Sequence, residues 1–235
     1  MPKFFVDTFN GKLEGENAQH AIKSLRIKPG EKLVVGDGNL YDYYCHVKSI
    51  LGNTVELSLD EKRPNNTEPS LKVTLYQCLL KGDKLSEVIK HAVELGVDKI
   101  VPVISEHCVK LLRDNEKLTA RLNRISESAA KQSFRGKIPV VEMPVNISEV
   151  PKNSIILYEA SGESFKSAIE SRLKETPEEL GILIGSEGGF SAKEAAMFKY
   201  KVHLGNRILR AETAPLAALA IIMHLTGNLE DSYAF

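Results

Sequence analysis

The chain has 235 residues, of which 43% are hydrophobic and 26% charged, and it carries 31 basic and 31 acidic side chains. This length permits one large domain or two smaller ones with a substantial core, and the zero net charge argues against indiscriminate binding to nucleic acids. The apolar run 217–225 is too short to cross a membrane and residues 1–7 lack the apolar core of a signal peptide, so we expect a cytoplasmic protein without membrane contact.

The first seventy residues predict a small β-barrel domain over residues 1–68. Short segments of alternating hydrophobic and polar residues are separated by Asx-Gly and Pro-Gly steps, which supply hairpin turns. The predicted strands are residues 4–6, 32–35, 41–50 and 54–59. A helix is expected at residues 18–26, and the polar segment 62–70, which contains two prolines, is the predicted linker.

Beyond residue 70 strands and helices alternate, which predicts a second domain, residues 71–235, of the α/β class. Such alternation is typical of a mainly parallel sheet covered by helices on both faces. The expected strands are residues 73–80, 100–104, 140–143, 154–158, 181–184 and 201–203. The expected helices are residues 85–95, 116–132, 165–174, 192–198 and 215–226. The first of these helices shows apolar residues at helical spacing and ends at Gly96.

Basic side chains are concentrated in the middle of the chain. Residues 71–140 carry 13 basic and 8 acidic groups, a balance of +5. A locally basic strip on a neutral protein favours a selective RNA contact, although a solvated helical face accounts for any single lysine equally well.

The cysteines give no sign of a metal site or a disulfide. Cys45, Cys78 and Cys108 are odd in number, widely spaced and in no CxxC pair. We therefore expect three reduced and mostly buried thiols.

Two glycine-bearing turns near the C-terminus are the strongest functional signal. Residues 185–191 read GSEGGFS and residues 204–214 read LGNRILRAETA, and each segment joins a predicted buried strand to a predicted helix. Ligands of open α/β sheets bind at the carboxyl ends of the strands, so the turns predict one small-molecule pocket built mostly from backbone. The spacing excludes a P-loop and a dinucleotide fingerprint, which favours an adenine and ribose held by main-chain groups beside glycines. A plain strand-turn-helix is the alternative for the first turn.

The second turn adds charge to this pocket. Arg207 and Arg210 flank two apolar residues, and Glu212 and Thr213 follow just before Pro215 opens a helix at its first position. Burying charged side chains at the start of a helix is unfavourable unless they are paired with other groups or have a functional role. A functional cluster is therefore predicted, with a surface ion-pair network as the alternative.

The two motifs closely resemble the signature of the RsmE-type methyltransferases, which are SPOUT-class enzymes that methylate N3 of a uridine in 16S ribosomal RNA. The resemblance covers nearly the whole chain. Similar segments precede the motifs at residues 24–26 (SLR), 81–84 (KGDK), 94–97 (ELGV) and 129–135 (AAKQSFR). Two positions depart from the family, since Ser186 replaces the proline usual before Glu-Gly-Gly-Phe and His107 stands where arginine is common.

The resemblance implies a PUA-like β-barrel followed by a SPOUT-type α/β domain with a parallel sheet and a C-terminal trefoil knot, a rare exception to the rule against knots. It implies S-adenosyl-L-methionine as the cofactor, no metal, and a homodimer with the active site near the subunit interface. The implied partner is 16S ribosomal RNA, within the small ribosomal subunit. The implied cofactor-binding residues are Leu157, Tyr158, Glu159, Leu183, Ile184, Gly185, Ser186, Glu187, Gly188, Gly189, Leu204, Gly205, Ile208, Leu209, Thr213 and Ala214.

Catalytic roles follow from the reaction that the resemblance implies. Uridine N3 carries a proton at neutral pH, so the site needs a base, a water route or a cation that stabilises the uridinate. Arg210 is predicted to stabilise negative charge on the uracil carbonyls, and Glu212 to act as the base or to orient Arg210. The residues predicted to contact RNA phosphates are Arg26, Lys131, Arg135 and Arg207.

Two other functions compete with this one. A non-catalytic RNA-binding or ribosome-assembly factor would use the barrel and the basic middle segment equally, but it would not need both motifs intact. A SPOUT methyltransferase that acts on another RNA, or on a 2′-hydroxyl, is the other alternative. The barrel ahead of the α/β domain favours the ribosomal uridine only by analogy.

Overall fold

The computed structural model describes residues 1–108 and 114–230. The chain divides into two compact units, one of Met1–Glu68 with Ala130–Ile138 and the other of Pro69–Ala129 with Pro139–Phe235. The first unit thus ends at Glu68 and takes in Ala130–Ile138, which follow much later in the chain. Residues 231–235 lie outside the described part of the chain.

The first unit is rich in β-structure. Its elements are β1 (Lys3–Phe5), β2 (Lys12–Leu13), α1 (Gly15–Gln19) with a π-helical turn at His20–Ser24, β3 (Lys32–Gly36), β4 (Tyr41–Leu51) and β5 (Thr54–Pro64). The sequence did not predict the two-residue strand β2, and the helix begins at Gly15 rather than at residue 18. Lys62, Arg63 and Pro64 belong to β5 and not to a linker, because they continue the ladder with β4.

One hydrophobic core lies inside this unit. The strands form a single sheet in the order β1-β3-β4-β5-β2, and each of them buries side chains in the same cluster, together with Ala18 and Ala21. The sheet therefore wraps around one core, as the predicted barrel requires. Gly52, at φ +60°, allows the two-residue turn between β4 and β5, and two register shifts in this ladder add local twist.

A buried polar cluster joins Ala130–Ile138 to the first unit. Lys3 Nζ donates a hydrogen bond to Asp42 Oδ1 at 2.6 Å and another to the carbonyl oxygen of Arg135 at 2.8 Å. Burial lowers the pKa of Lys3, and the hydrogen bond with Asp42 opposes that shift. Since a buried charge is tolerated only with such partners, the cluster explains why this segment belongs with the barrel.

Arg135 is buried in the same segment and does not meet the prediction of a phosphate contact. The residue is 2% exposed, and its Nε and Nη2 donate to the two carboxylate oxygens of Glu68 at 2.8 and 2.6 Å. The predicted role of Arg135 in RNA binding is therefore corrected, because its guanidinium is out of solvent and already neutralises a carboxylate.

Arg135→Ala is expected to destabilise the first unit by about 3 kcal/mol, because it leaves the Glu68 carboxylate in a mostly buried position without its cation. The measurement is chemical denaturation followed by circular dichroism. Arg63→Ala is the matched control, since Arg63 pairs with Glu61 at the surface and exposed pairs contribute little. Equal destabilisation in the two variants would contradict the structural role of the Arg135–Glu68 pair.

The second unit is an α/β domain. Its elements are β6 (Lys72–Cys78), α2 (Lys84–Glu94), β7 (Lys99–Ile104), α3 (Asn115–Gln132, whose last turn belongs to the first unit), β8 (Val140–Val141), β9 (Val145–Asn146), β10 (Ile155–Leu157), α4 (Phe165–Glu175), β11 (Glu179–Ile184), α5 (Ala192–Ala195), β12 (Tyr200–Val202) and α6 (Ala214–Leu225). Each strand and helix predicted for this domain is present. The main differences are β9, which was not predicted, and α5, which ends at Ala195 rather than at residue 198.

The strands of this unit form a seven-stranded sheet in the order β12-β10-β11-β6-β7-β8, with β9 paired to β7. The pairings between the described strands are parallel, as predicted. A parallel sheet is buried on both faces, so its strands are apolar throughout, as the buried pairs Ile155–Ile156 and Ile182–Leu183 illustrate. The carboxyl ends of β10, β11 and β12 consequently lie at one edge of the sheet.

Two helices of this unit, α2 and α6, pack against each other. Helix α2 buries the apolar face predicted from its spacing, and Gly96, at φ +92°, follows its end. Helix α6 carries Pro215 in its first turn and is apolar along most of its length. In the described ranges no helix combines the length and apolarity that a membrane span needs. The three cysteines are free and buried, as predicted.

Candidate active site

A cavity of about 760 Å³ lies at the carboxyl ends of β10, β11 and β12. This volume is in the range of about 300–1,000 Å³ that is usual for small-molecule sites. Both glycine-bearing turns line the cavity, so the prediction of one pocket built from two turns is confirmed. Arg207, Arg210 and Glu212 lie on the same wall.

The predicted cofactor-binding residues line this cavity, with the exceptions of Leu183 and Thr213. Leu183 is fully buried in β11, and because neighbouring residues of a strand face opposite sides of the sheet, Ile184 reaches the cavity while Leu183 does not. Thr213 is exposed and directly precedes α6, and its side chain makes no capping hydrogen bond. These two residues are therefore not among those that line the cavity.

The first turn brings backbone up to the cavity. The N–H of Gly189 donates to the carbonyl oxygen of Ser186 at 3.0 Å, and Gly189 has φ +64°, which favours glycine. A Cβ atom on Gly188 would lie 2.7 Å from Cβ of His107. The positive φ of the turn thus requires glycine at position 189, and the close approach of the loop after β7 requires glycine at position 188.

The two departures from the family pattern contact each other. Ser186 is buried, and its Oγ donates to the carbonyl oxygen of His107 at 3.2 Å. Serine lacks the fixed φ of proline, but its hydroxyl can donate a hydrogen bond, which a proline side chain cannot. The bond to His107 therefore anchors the turn at this position. The turn is held against the loop after β7 without the usual proline.

The second turn leads from β12 into α6. Gly205 has φ +86°, and its N–H donates to Nδ1 of His203 at 3.0 Å. The carbonyl oxygen of Arg210 accepts the N–H groups of Thr213 and Ala214, both at 2.9 Å. These backbone bonds fix the direction in which the chain enters the helix, and they leave the Arg210 side chain exposed.

Four charged side chains meet at the cavity wall. Lys84 Nζ lies 3.1 Å from Glu187 Oε1 and 3.3 Å from Glu212 Oε2, and Arg210 Nη1 lies 4.0 Å from Glu212 Oε1. The hydrogen-bonded carboxylate of Glu187, and after it that of Glu212, raise the pKa of Lys84. The side chain of Glu212 is 20% exposed, and its Oε2 is buried without a hydrogen bond among the described residues. Glu212 and Arg210 are thus neighbours, as their predicted roles require.

Sequence reasoning missed several lining residues. They are Lys84, Ser161, Phe190, Val202, His203, Asn206 and Ala211. Most of them flank a predicted motif. Lys84 instead comes from the distant segment 81–84, and the resemblance of this segment to the family is the sequence signal that could have identified it. Its place at the cavity depends on the long-range pairing of β6 with β11.

The remaining predicted RNA contacts lie in both units. Arg26, in the first unit, is exposed and has φ +52°, an uncommon conformation for a residue other than glycine. Lys131, also in the first unit, is half-buried, and its Nζ donates to Asn17 Oδ1 at 3.4 Å. Arg207, in the second unit, is exposed on the cavity wall. Arg26 and Arg207 are therefore accessible to a phosphate group.

Family models match both parts of this architecture. Residues 67–223 match the RNA methyltransferase domain, and residues 13–60 match the RNA methyltransferase PUA domain. The predicted fold class, a PUA-like domain followed by a parallel-sheet methyltransferase domain, is confirmed. Fold and cavity together define an RNA methyltransferase.

Relatives identify the family more closely. The chain is 33% identical to ribosomal RNA small subunit methyltransferase E of Buchnera aphidicola, over 89% of each chain. It is 27% identical to the protein of that name from Bacillus subtilis, over 97% of this chain and 98% of the relative. The crystal structure of ribosomal RNA small subunit methyltransferase E from Neisseria gonorrhoeae bound to S-adenosyl methionine is similar with a TM-score of 0.84 and 28% identity, over 96% of this chain and 98% of that chain. The protein belongs to the ribosomal RNA small subunit methyltransferase E family.

Proposed function

We propose that this protein transfers a methyl group from S-adenosylmethionine to N3 of a uridine in 16S ribosomal RNA of the small subunit. The observation that carries the proposal is the cavity in which both family motifs converge, with Arg210 and Glu212 on its wall. The membership of the chain in an RNA methyltransferase family supports the reaction class, and the resemblance of the two motifs supports the uridine N3 atom.

The residues of the cavity fit S-adenosylmethionine. When bound, this cofactor supplies a methyl group on a sulfonium centre. Residues 185–189, Leu204 and Gly205 line the cavity, and their glycines allow the close main-chain approach that an adenosine held by backbone groups needs. The carboxylates of Glu159 and Glu187, on the same wall, match the positive charge of such a ligand.

Methyl transfer to uridine mainly requires positioning and the loss of the N3 proton. Arg210 stabilises the negative charge that develops on the uracil carbonyls, as fixed donors do in oxyanion holes. Glu212 receives the proton or orients Arg210, and its position 4.0 Å from the guanidinium serves either role. Both residues act on the acceptor base, whereas the glycine turns hold the methyl donor.

Arg26, Lys131 and Arg207 are proposed to contact RNA phosphates, which fixes the register of the RNA while the target base is read in the cavity. Arg26→Ala is expected to weaken RNA binding and to reduce the slope of log K against log salt by about one, the change expected when one phosphate contact is lost. Filter binding over a series of salt concentrations measures both quantities. The exposed Lys23→Ala is the control on the same surface segment, and an identical slope in the two variants would argue against a phosphate contact by Arg26.

The resemblance also supports a trefoil knot in the second unit, a homodimer and a cytoplasmic location, and we include these in the proposal. The exposed apolar side chains of Ile221 and Leu225 on α6 favour a subunit interface. Ribosomal RNA as the substrate places the enzyme where small subunits are assembled.

The test is transfer of labelled methyl groups from S-adenosylmethionine to small-subunit RNA, both as free RNA and as assembled subunits, followed by nucleoside analysis. The expected product is 3-methyluridine at one position. Calorimetric titration with S-adenosylmethionine, with NAD and ATP as controls, checks the cofactor separately. Selective cofactor binding without transfer to either form of the RNA would contradict the catalytic proposal and favour a non-catalytic assembly factor.

A further inference from the structure

Lys84 joins the two motif turns across the cavity wall. It is the first residue of α2, and its Nζ lies 3.1 Å from Glu187 of the first turn and 3.3 Å from Glu212 of the second turn. Along the chain the two turns are separated by α5 and β12. The ammonium group is therefore a direct link between the two halves of the cavity.

The two carboxylates depend on this lysine to different degrees. Glu187 also accepts the N–H of Lys81 at 3.4 Å, and its turn is held independently by the hydrogen bond from Ser186 to His107. Among the described residues, Glu212 has two cations near it, Lys84 at 3.3 Å and Arg210 at 4.0 Å.

The orientation of Glu212 is the property most sensitive to Lys84. The Oε2 atom of Glu212 is buried and makes no hydrogen bond in the described part of the chain. The Lys84 ammonium is the nearest cation that offsets its charge, and a buried carboxylate without a partner is unfavourable.

We propose that Lys84 is a positioning residue for methyl transfer, which ties Glu212 to the first turn through Glu187 and so holds the Glu212 carboxylate against Arg210. This inference rests on the proposed function. Its main effect falls on turnover, because Lys84 orients the groups that act on the acceptor base, while the backbone that holds the cofactor is fixed by other contacts.

The raised pKa of Lys84 agrees with this role. The carboxylates of Glu187 and Glu212 stabilise the charged form, so the ammonium is retained through neutral pH. The ammonium loses its charge as the pH rises through the raised pKa of the lysine, on the alkaline side of its ordinary value. In the described part of the chain Lys84 forms ion pairs with Glu187 and Glu212, and Arg210 lies beside Glu212.

The first arm of the test compares Lys84→Met, which keeps the length of the side chain without its charge, with Lys84→Arg, which keeps a cation. Lys84→Met is expected to reduce kcat by about 10²-fold, the scale of a misplaced catalytic group, with little change in the Kd for S-adenosylmethionine. Lys84→Arg is expected to restore most of that turnover. Lys90→Met is the matched control, since Lys90 is exposed on the same helix and does not line the cavity.

The second arm does not depend on activity. In the protein without ligand, hydrogen exchange of the Thr213 and Ala214 amides, which donate to the carbonyl oxygen of Arg210, is expected to be faster in Lys84→Met than in Lys90→Met. Equal exchange in these variants would overturn the inference, and so would full turnover by Lys84→Met. Failure of the protein without any substitution to methylate RNA would contradict the proposed function. The hydrogen-exchange comparison would still decide whether Lys84 is a positioning residue.

Discussion

Replacing Arg210 with alanine is expected to lower the rate of methyl transfer by about 10²- to 10³-fold, the effect of removing one fixed donor from a site of developing negative charge. The affinity for S-adenosylmethionine should change little, because the Arg210 side chain is 84% exposed, whereas the proposed cofactor contacts are made by main-chain groups of the glycine turns. The carbonyl oxygen that receives the Thr213 and Ala214 amides is kept in the variant. Single-turnover transfer and calorimetric titration measure the two quantities separately.

Arg207→Ala is the matched control for this prediction. Arg207 lies in the same turn, is exposed and lines the same cavity, but its proposed contact is an RNA phosphate. Its removal should weaken RNA binding and leave turnover at saturating RNA nearly intact. Equal losses of turnover and cofactor affinity in Arg210→Ala would count against a role for Arg210 at the acceptor base.

Replacing Gly188 with valine is expected to weaken the binding of S-adenosylmethionine by about 5- to 150-fold. A Cβ at this position would lie 2.7 Å from Cβ of His107 and 3.4 Å from its carbonyl oxygen, and neither atom is the end of a flexible side chain. Overpacking of about 1–3 kcal/mol corresponds to about a 5- to 150-fold loss of affinity when it displaces a binding loop. The displaced turn would also withdraw the backbone groups that hold the cofactor.

Gly162→Val is the control for the loss at Gly188. Gly162 belongs to the same unit, has open space where its Cβ would lie and does not line the main cavity. Its variant should bind S-adenosylmethionine like the unchanged chain, as measured by calorimetry, with circular dichroism to confirm that both variants are folded. Unchanged affinity in Gly188→Val would exclude residues 185–189 from the cofactor site.

Local patterns in the amino-acid sequence were sufficient for most elements of the second unit. The spacing of apolar residues in α2 identifies its buried face, and Gly96 marks its end, because both signals depend on neighbours within one or two turns of helix. The two glycine-bearing turns predicted the cavity for a related reason. Parallel strands place their carboxyl ends at one edge of the sheet, and the two turns meet there because β11 and β12 both neighbour β10.

Only the tertiary structure decided which distant side chains meet. Arg135 lies in a segment whose basic composition is typical of a surface. It is nevertheless buried against Glu68, because its segment packs with the barrel. Lys84 reaches Glu187 and Glu212 because β6 pairs with β11 in the centre of the sheet. Residue type and spacing determine which local element forms, whereas strand order and the burial of a charge depend on the packing of the whole unit, which no short stretch of sequence contains.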